Sequence, residues 1–136
     1  MIRNETGLAQ PTEKHDINLA EDAASGKYSL SCNKTTWLKT LASTSGQEEI
    51  TLSAWVKPRS YSGDCVIIGG CYLCVNSTGY LTAYCYDKNP AGYHTGSKTK
   101  IALDVWTHIA VTWNESYCIG YVNGSEEFKV ACTGKT

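Results

Sequence analysis

The chain has no apolar run long enough to cross a bilayer as a helix, so no segment reads as a membrane span. An apolar leader is missing too. The opening MIRNETGLAQPTEKHD is polar and has no hydrophobic signal core, which predicts a soluble chain that does not secrete itself. Nor is there an excess of one charge: the formal net charge is -1, and the 18% of charged residues form no blocks. That balance gives no field to draw nucleic acid or an anionic membrane surface, and both are excluded as partners. The sequence also lacks an internal repeat and any apolar stripe of helical period and useful length. Phenylalanine is nearly absent, with one residue against four tryptophans and nine tyrosines. The aromatic stock is therefore weighted to rings with a polar handle, which suit sugar stacking and wet interfaces.

What is present is a succession of short alternating runs over 136 residues, enough for one two-layer core. In EEITLSAWVKPRS, residues 48–60, Ile50, Leu52, Ala54 and Val56 fall on one face and Thr51, Ser53, Trp55 and Lys57 on the other. This is the period of a half-buried strand, and Pro58 ends it. Similar runs follow from Gly26 onward, among them CVIIG, YLTAYCY, WTHIAVTW and EEFKVAC, at the spacing of an all-β domain. Asn76-Ser-Thr-Gly79 and Asn123-Gly124 lie between such runs and predict two hairpins. Residues 1–25 read as a polar arm or irregular leading segment, in which NLAEDAAS is compatible with a helical turn or two. Residues 26–136 read as the β domain. DKNPAGYHTGSKTK, residues 87–100, shows no buried face and reads as the longest loop, a common place for function on a β scaffold.

Seven cysteines, an odd number, cannot all pair within one chain. Strand parity puts Cys32 with Tyr28 and Leu30, Cys85 with Leu81 and Ala83, and Cys132 with Phe128 and Val130, as small core residues. Cys71 and Cys74 form a lone C-x-x-C without the second pair that a zinc site of this spacing needs. Five of the seven asparagines open an N-x-[ST] sequence: Asn4, Asn33, Asn76, Asn114 and Asn123. Most of these read as turn chemistry rather than glycan attachment.

For a binding surface, YLTAYCY places Leu81, Ala83 and Cys85 on one face and Tyr80, Thr82, Tyr84 and Tyr86 on the other. Tyr84 and Tyr86 then combine with Tyr93 and His94 of the expected loop as a candidate ligand-binding group. The competing reading makes these tyrosines cross-strand packing, with both faces of the strand covered. Trp37, Trp55, Trp106 and Trp113 read as core or sheet-packing residues. His108, opposite in parity to Ile109 and Val111, reads as scaffold.

Taken in order, GKYSLSCNKTTWLKT, ITLSAWVKP, GGCYLCVNSTGYLTAY, WTHIAVTW and GYVNG resemble the laminin G-like branch of the concanavalin A-like lectin/glucanase superfamily. The resemblance covers roughly residues 26–125. It implies two antiparallel sheets packed as a jelly-roll sandwich, with Ile50–Lys57 as a core strand. Relatives continue past the Y-V-N-G hairpin with closing strands that have no counterpart before CTGKT. The expectation is that the N-terminal segment, a second copy of the chain or a neighbouring structural protein completes the sandwich, or that the chain is a fragment of a longer protein. The resemblance also implies calcium as the ion of such sites, with Asp64, Asp87 and Asn89 as candidate oxygen ligands. The superfamily includes glucanases, whose paired carboxylates come as E-x-D-x-x-E. That motif is absent, and the acids Glu48-Glu49, Asp64, Asp87, Asp104 and Glu126-Glu127 read as strand-end or turn residues. The expected function is thus a non-enzymatic recognition or structural module contacting protein or glycan. Its expected setting is a phage virion, with a secreted or cell-surface lectin-like module as the alternative.

Overall fold

The structure, a computed structural model, describes residues 11–16, 18–33, 35–40, 46–62, 65–68, 72–85 and 92–134. The chain divides into two compact units, Met1–Ser43 and Thr44–Thr136. All regular structure among the described residues is β, and every pairing is antiparallel.

The first unit holds two short ribbons. Strand β1 (Pro11–His15) pairs with β4 (Trp37–Thr40), and β2 (Asn18–Ala20) pairs with β3 (Ser29–Ser31). NLAEDAAS is therefore not helical: Asn18–Ala20 takes ladder partners in β3, and the residues after it run through bends. Around Asp16, at φ 49°, Thr35 Oγ1 donates to its carboxylate at 3.0 Å and Thr36 Oγ1 to its carbonyl at 3.1 Å. Cys32 is exposed and so is Tyr28, against the expectation of a core face there. The β2–β3 ribbon is three residues long and ends at Ser31, so parity has no closed layer to point into.

The second unit is a sandwich of two four-stranded sheets. The first sheet runs in the order β12 (Ser125–Ala131), β11 (Tyr117–Val122), β10 (Thr107–Trp113) and β5 (Ile50–Val56). In the second the order is β6 (Cys65–Ile68), β7 (Tyr72–Val75), β8 (Tyr80–Cys85) and β9 (Gly92–Lys100). Their inner faces supply one core: Leu52, Val56, Ile109, Val111, Trp113, Cys118, Val122 and Phe128 from the first sheet meet Leu73, Val75, Leu81 and Ala83 from the second. Burial of each large apolar side chain among these contributes about 1.5–3 kcal/mol. Strand β10 is the clearest case of the rule, burying Thr107, Ile109, Val111 and Trp113 and turning His108, Ala110 and Thr112 outward. Cys118 and Cys132 are core thiols, as parity predicts for Cys132.

Both predicted hairpins form. Asn76 Oδ1 accepts from the N–H groups of Thr78 and Tyr80, and Gly79 at φ 90° closes the turn between β7 and β8. Asn123 (φ 49°) and Gly124 (φ 80°) make the two-residue turn between β11 and β12, the pair of positive φ values such a turn demands. Asn33 and Asn114 likewise accept N–H groups two or three residues on. The four sequon asparagines within the described residues thus do the turn chemistry expected of them.

One expectation fails outright. Residues 92–100 are not loop but β9, paired to β8 through Gly92–Thr95 and again at Lys100. It is an edge strand, with its register broken between the pairs Tyr80↔Lys100 and Thr82↔Thr95. Ser97 Oγ takes over ladder duty there by accepting the Leu81 N–H at 2.9 Å. Glu127, expected as a strand-end or turn acid, is buried at a bulge in β12, where Gly120↔Phe128 is followed by Tyr121↔Glu126. Its Oε2 accepts the N–H groups of Lys98 and Thr99 at 2.6 and 2.8 Å, and Oε1 accepts the Thr99 hydroxyl at 2.7 Å. One carboxylate thereby ties the edge of the first sheet to the edge of the second. Burial pushes this carboxyl group up, but the bonds from Thr99 and Lys98 and the Lys98 charge outweigh it and leave its pKa lowered.

Candidate contact surface

The outward face of the first sheet is built from the residues that alternate with its core. From β5 come Thr51, Ser53 and Trp55, all exposed, and from β10 come the half-buried His108, Ala110 and Thr112. Because His108 is the ladder partner of Trp55, the two rings meet edge to face, 5.3 Å between centroids at 61°. Trp55 nonetheless remains 52% exposed. The indole therefore packs across the strands on His108 and still leaves about half of its surface to solvent. Asn123 fixes the backbone beneath the pair, its Oδ1 accepting the His108 N–H at 2.9 Å. Farther along the same face Tyr117 is exposed under Lys129, whose Nζ lies 4.0 Å from the ring centroid.

The tyrosine face of the second sheet is more closed. Tyr84 stacks on its ladder partner Tyr72, with centroids 5.9 Å apart at 26°. The next pair on that face, Cys74 opposite Thr82, is only 1% and 2% exposed. Both faces of β8 are therefore covered at its centre, and Tyr84 is engaged in cross-strand packing. Register places Tyr93 opposite Tyr84 but His94 opposite the core residue Ala83. Of the expected binding group, the backbone brings Tyr84 and Tyr93 side by side and sets His94 in the alternate register. Tyr86 and the candidate calcium ligands Asp64, Asp87 and Asn89 lie outside the described residues, as does Cys71. Among the described residues, no three His, Cys, Asp or Glu side chains converge on a metal-sized site.

A shallow, open hollow of about 330 Å³ sits where β5 begins and β10 ends, lined by Glu49, Ile50, Thr51, Thr112, Trp113 and Asn114. The indole Nε1 of Trp113 is buried with no hydrogen-bond partner among the described residues.

The residue that sequence reasoning passed over is Trp55. Its signal was present in the strand itself, since parity sets it with Thr51, Ser53 and Lys57 rather than with Leu52 and Val56. The two-sheet geometry agrees with the comparison of the chain with known proteins. No curated protein and no solved structure matches it. A family model described as the concanavalin A-like lectin/glucanases superfamily, of laminin G type, matches residues 32–136. With a match over most of its length and two antiparallel sheets closing on one core, this chain belongs to the concanavalin A-like lectin/glucanases superfamily.

Proposed function

We propose that the protein is a non-enzymatic recognition module whose contact face is the outer surface of the first sheet, centred on Trp55 and His108. The observation that carries this is the half-open indole of Trp55, steadied edge-on by His108. A sugar ring fits such a surface: its apolar C–H face lies on the indole, while the exposed Ser53 hydroxyl on the same strand face offers a polar partner at the rim. The family supports the same coarse reading, a module that binds carbohydrate or protein. For its setting we favour a virion component made in a reducing cytosol. The odd number of cysteines, seven, which cannot all pair within the chain, supports this over a secreted module, where oxidising conditions favour paired cysteines.

Retention on a panel of immobilised polysaccharides, compared between the native protein and Trp55→Ala, tests the contact face. The expected result is capture by at least one polysaccharide that falls about tenfold or more in the variant, as for a hot-spot aromatic. Capture unchanged in Trp55→Ala would remove the face from consideration, and no capture by any polysaccharide would remove sugars. Thiol titration of protein from its natural source tests the setting, because assembly in a reducing cytosol predicts that the cysteines titrate as thiols.

A further inference from the structure

An asparagine followed by glycine is prone to lose its amide, because the glycine nitrogen can reach the asparagine carboxamide with no side chain in the way. Of the seven asparagines, only Asn123 precedes a glycine. Asn123 and Gly124 are both exposed, and nothing stands within 4 Å of where a side chain on Gly124 would be. Water and hydroxide therefore reach the pair. The chemistry open to it is redox-neutral. Hydroxide takes the Gly124 N–H proton, the nitrogen attacks Cγ of Asn123 to form a C–N bond, and the Cγ–Nδ2 bond breaks, the amide leaving as ammonia with a proton from water. Water then opens the five-membered imide. Opening at Cγ gives aspartate, whereas opening at the main-chain carbonyl gives isoaspartate, whose main chain runs through the former side chain and is one methylene longer.

The fold acts on the first step. Asn123 is bonded twice to one residue of β10: its N–H donates to the His108 carbonyl at 2.8 Å, and its Oδ1 accepts the His108 N–H at 2.9 Å. The carboxamide is thus drawn toward β10, while the main chain beyond it turns through Gly124 into β12, on the opposite side of β11. Ring closure needs Cγ to swing to the Gly124 nitrogen, so the His108 bond must open first. The other sequon asparagines within the described residues are held differently. Oδ1 of Asn33, Asn76 and Asn114 accepts N–H groups within the residue's own turn. Each is followed by a residue with a side chain, Lys34, Ser77 or Glu115, which hinders the same attack.

We propose that Asn123 is a modification site of this chain, deamidating to aspartate and isoaspartate at a rate set by the opening of its bond to the His108 N–H. The two products leave different turns behind. Aspartate still tolerates positive φ and still offers His108 a side-chain oxygen. Isoaspartate lengthens a two-residue turn whose register depends on its length, and moves the carboxylate onto Cα, away from His108. Because the lost bond lies beneath the Trp55–His108 pair, the isoaspartyl turn loosens the contact face of the preceding reading. The modification site itself stands without that face.

The test keeps the full chain at mildly alkaline pH for days in buffer, in sub-denaturing urea and in urea that unfolds it. Peptide mass spectrometry reads the conversion of each asparagine, and hydrogen exchange reads the His108 amide under the same conditions. Asn123 is expected to convert before any other asparagine, and about tenfold or more slowly in buffer than in the unfolding urea. Between these limits its rate should rise in step with exchange of the His108 N–H. Conversion as fast in buffer as in the unfolding urea overturns the proposal. So does another asparagine converting first, or a rate that stays flat while the His108 amide opens. Separated by chromatography, the isoaspartyl form should melt below the unmodified chain and the aspartyl form close to it. An isoaspartyl form that melts with the unmodified chain overturns the effect assigned to the turn. Polysaccharide capture by the separated forms keeps the two readings apart. A fresh chain that captures nothing removes the contact face alone, because conversion at Asn123 is read by mass.

Discussion

The ring of Phe128 occupies the space that a side chain on Gly120 would need. A Cβ placed on Gly120 would overlap Cε1 and Cζ of that ring and lie 2.7 Å from Cδ1. The two residues are ladder partners on β11 and β12, so the single phenylalanine of the chain is seated by a glycine directly across from it. Gly120→Ala should destabilise the protein by about 1–3 kcal/mol or more through overpacking, read as a lower midpoint in denaturant. Phe128→Ala should cost about 3–5 kcal/mol. The double substitution should cost clearly less than the sum, because removing the ring frees the space the alanine needs.

Glu127 predicts a pH dependence. Its folded-state pKa is lowered, so its contribution is fully present above the unfolded carboxyl value, about 4.3. That contribution is lost as pH falls through the lower folded value. Glu127→Gln should lose about 1–3 kcal/mol at neutral pH, because an amide cannot accept on both sides from Lys98, Thr99 and the Thr99 hydroxyl. The difference between the two proteins in urea unfolding should narrow steadily in acid. A gap unchanged down to strongly acidic pH would mean that the carboxylate charge is not what matters.

At Asn123 two effects can be told apart. The residue holds φ 49° and accepts the His108 N–H on its side chain. Asn123→Gly keeps the backbone free to adopt the turn and loses only the side-chain bond, at about 1 kcal/mol. Asn123→Ala loses the bond and strains the backbone, and should cost about 1 kcal/mol more. Thermal melts of the two variants should rank them in that order.

Two tryptophans should answer alanine substitution oppositely. Trp113 is fully buried in the core, and Trp113→Ala should cost about 3–5 kcal/mol. Trp55→Ala should cost no more than about 1.5 kcal/mol, the scale of the lost ring contact with His108. The comparison uses chemical denaturation of each variant at one matched protein concentration.

Where the sequence carried its own period, the fold was readable from it. Strands β5 and β10 alternate without interruption, and their faces came out as parity dictates. The Asn76–Gly79 and Asn123–Gly124 turns announced themselves through residues that tolerate positive φ. Strand β9 was unreadable because GYHTGSKTK has no apolar period: what makes it a strand is β8 on one side and the Glu127 carboxylate on the other. Glu127 lies 28 residues from Thr99 in the chain, and its turn inward depends on a bulge that no local pattern encodes. For the contact surface the limit was different. Parity placed Trp55 on the outer face, but alternation gives the side of a sheet and not what lies above it. Tyr84 shows the converse, with an outer-face position that is half-buried by cross-strand stacking on Tyr72, next to the buried Cys74–Thr82 pair.

The irregular edges also govern how far any assembly of this sandwich could grow. Stacking sheets edge to edge without limit needs two regular edges per sheet, one to receive a strand and one to offer the next. In the first sheet β12 is broken by the bulge that turns Glu127 inward, so this edge offers no even row of backbone donors and acceptors to another strand. The bulge that brings Glu127 to β9 therefore also guards the β12 edge against unlimited strand addition.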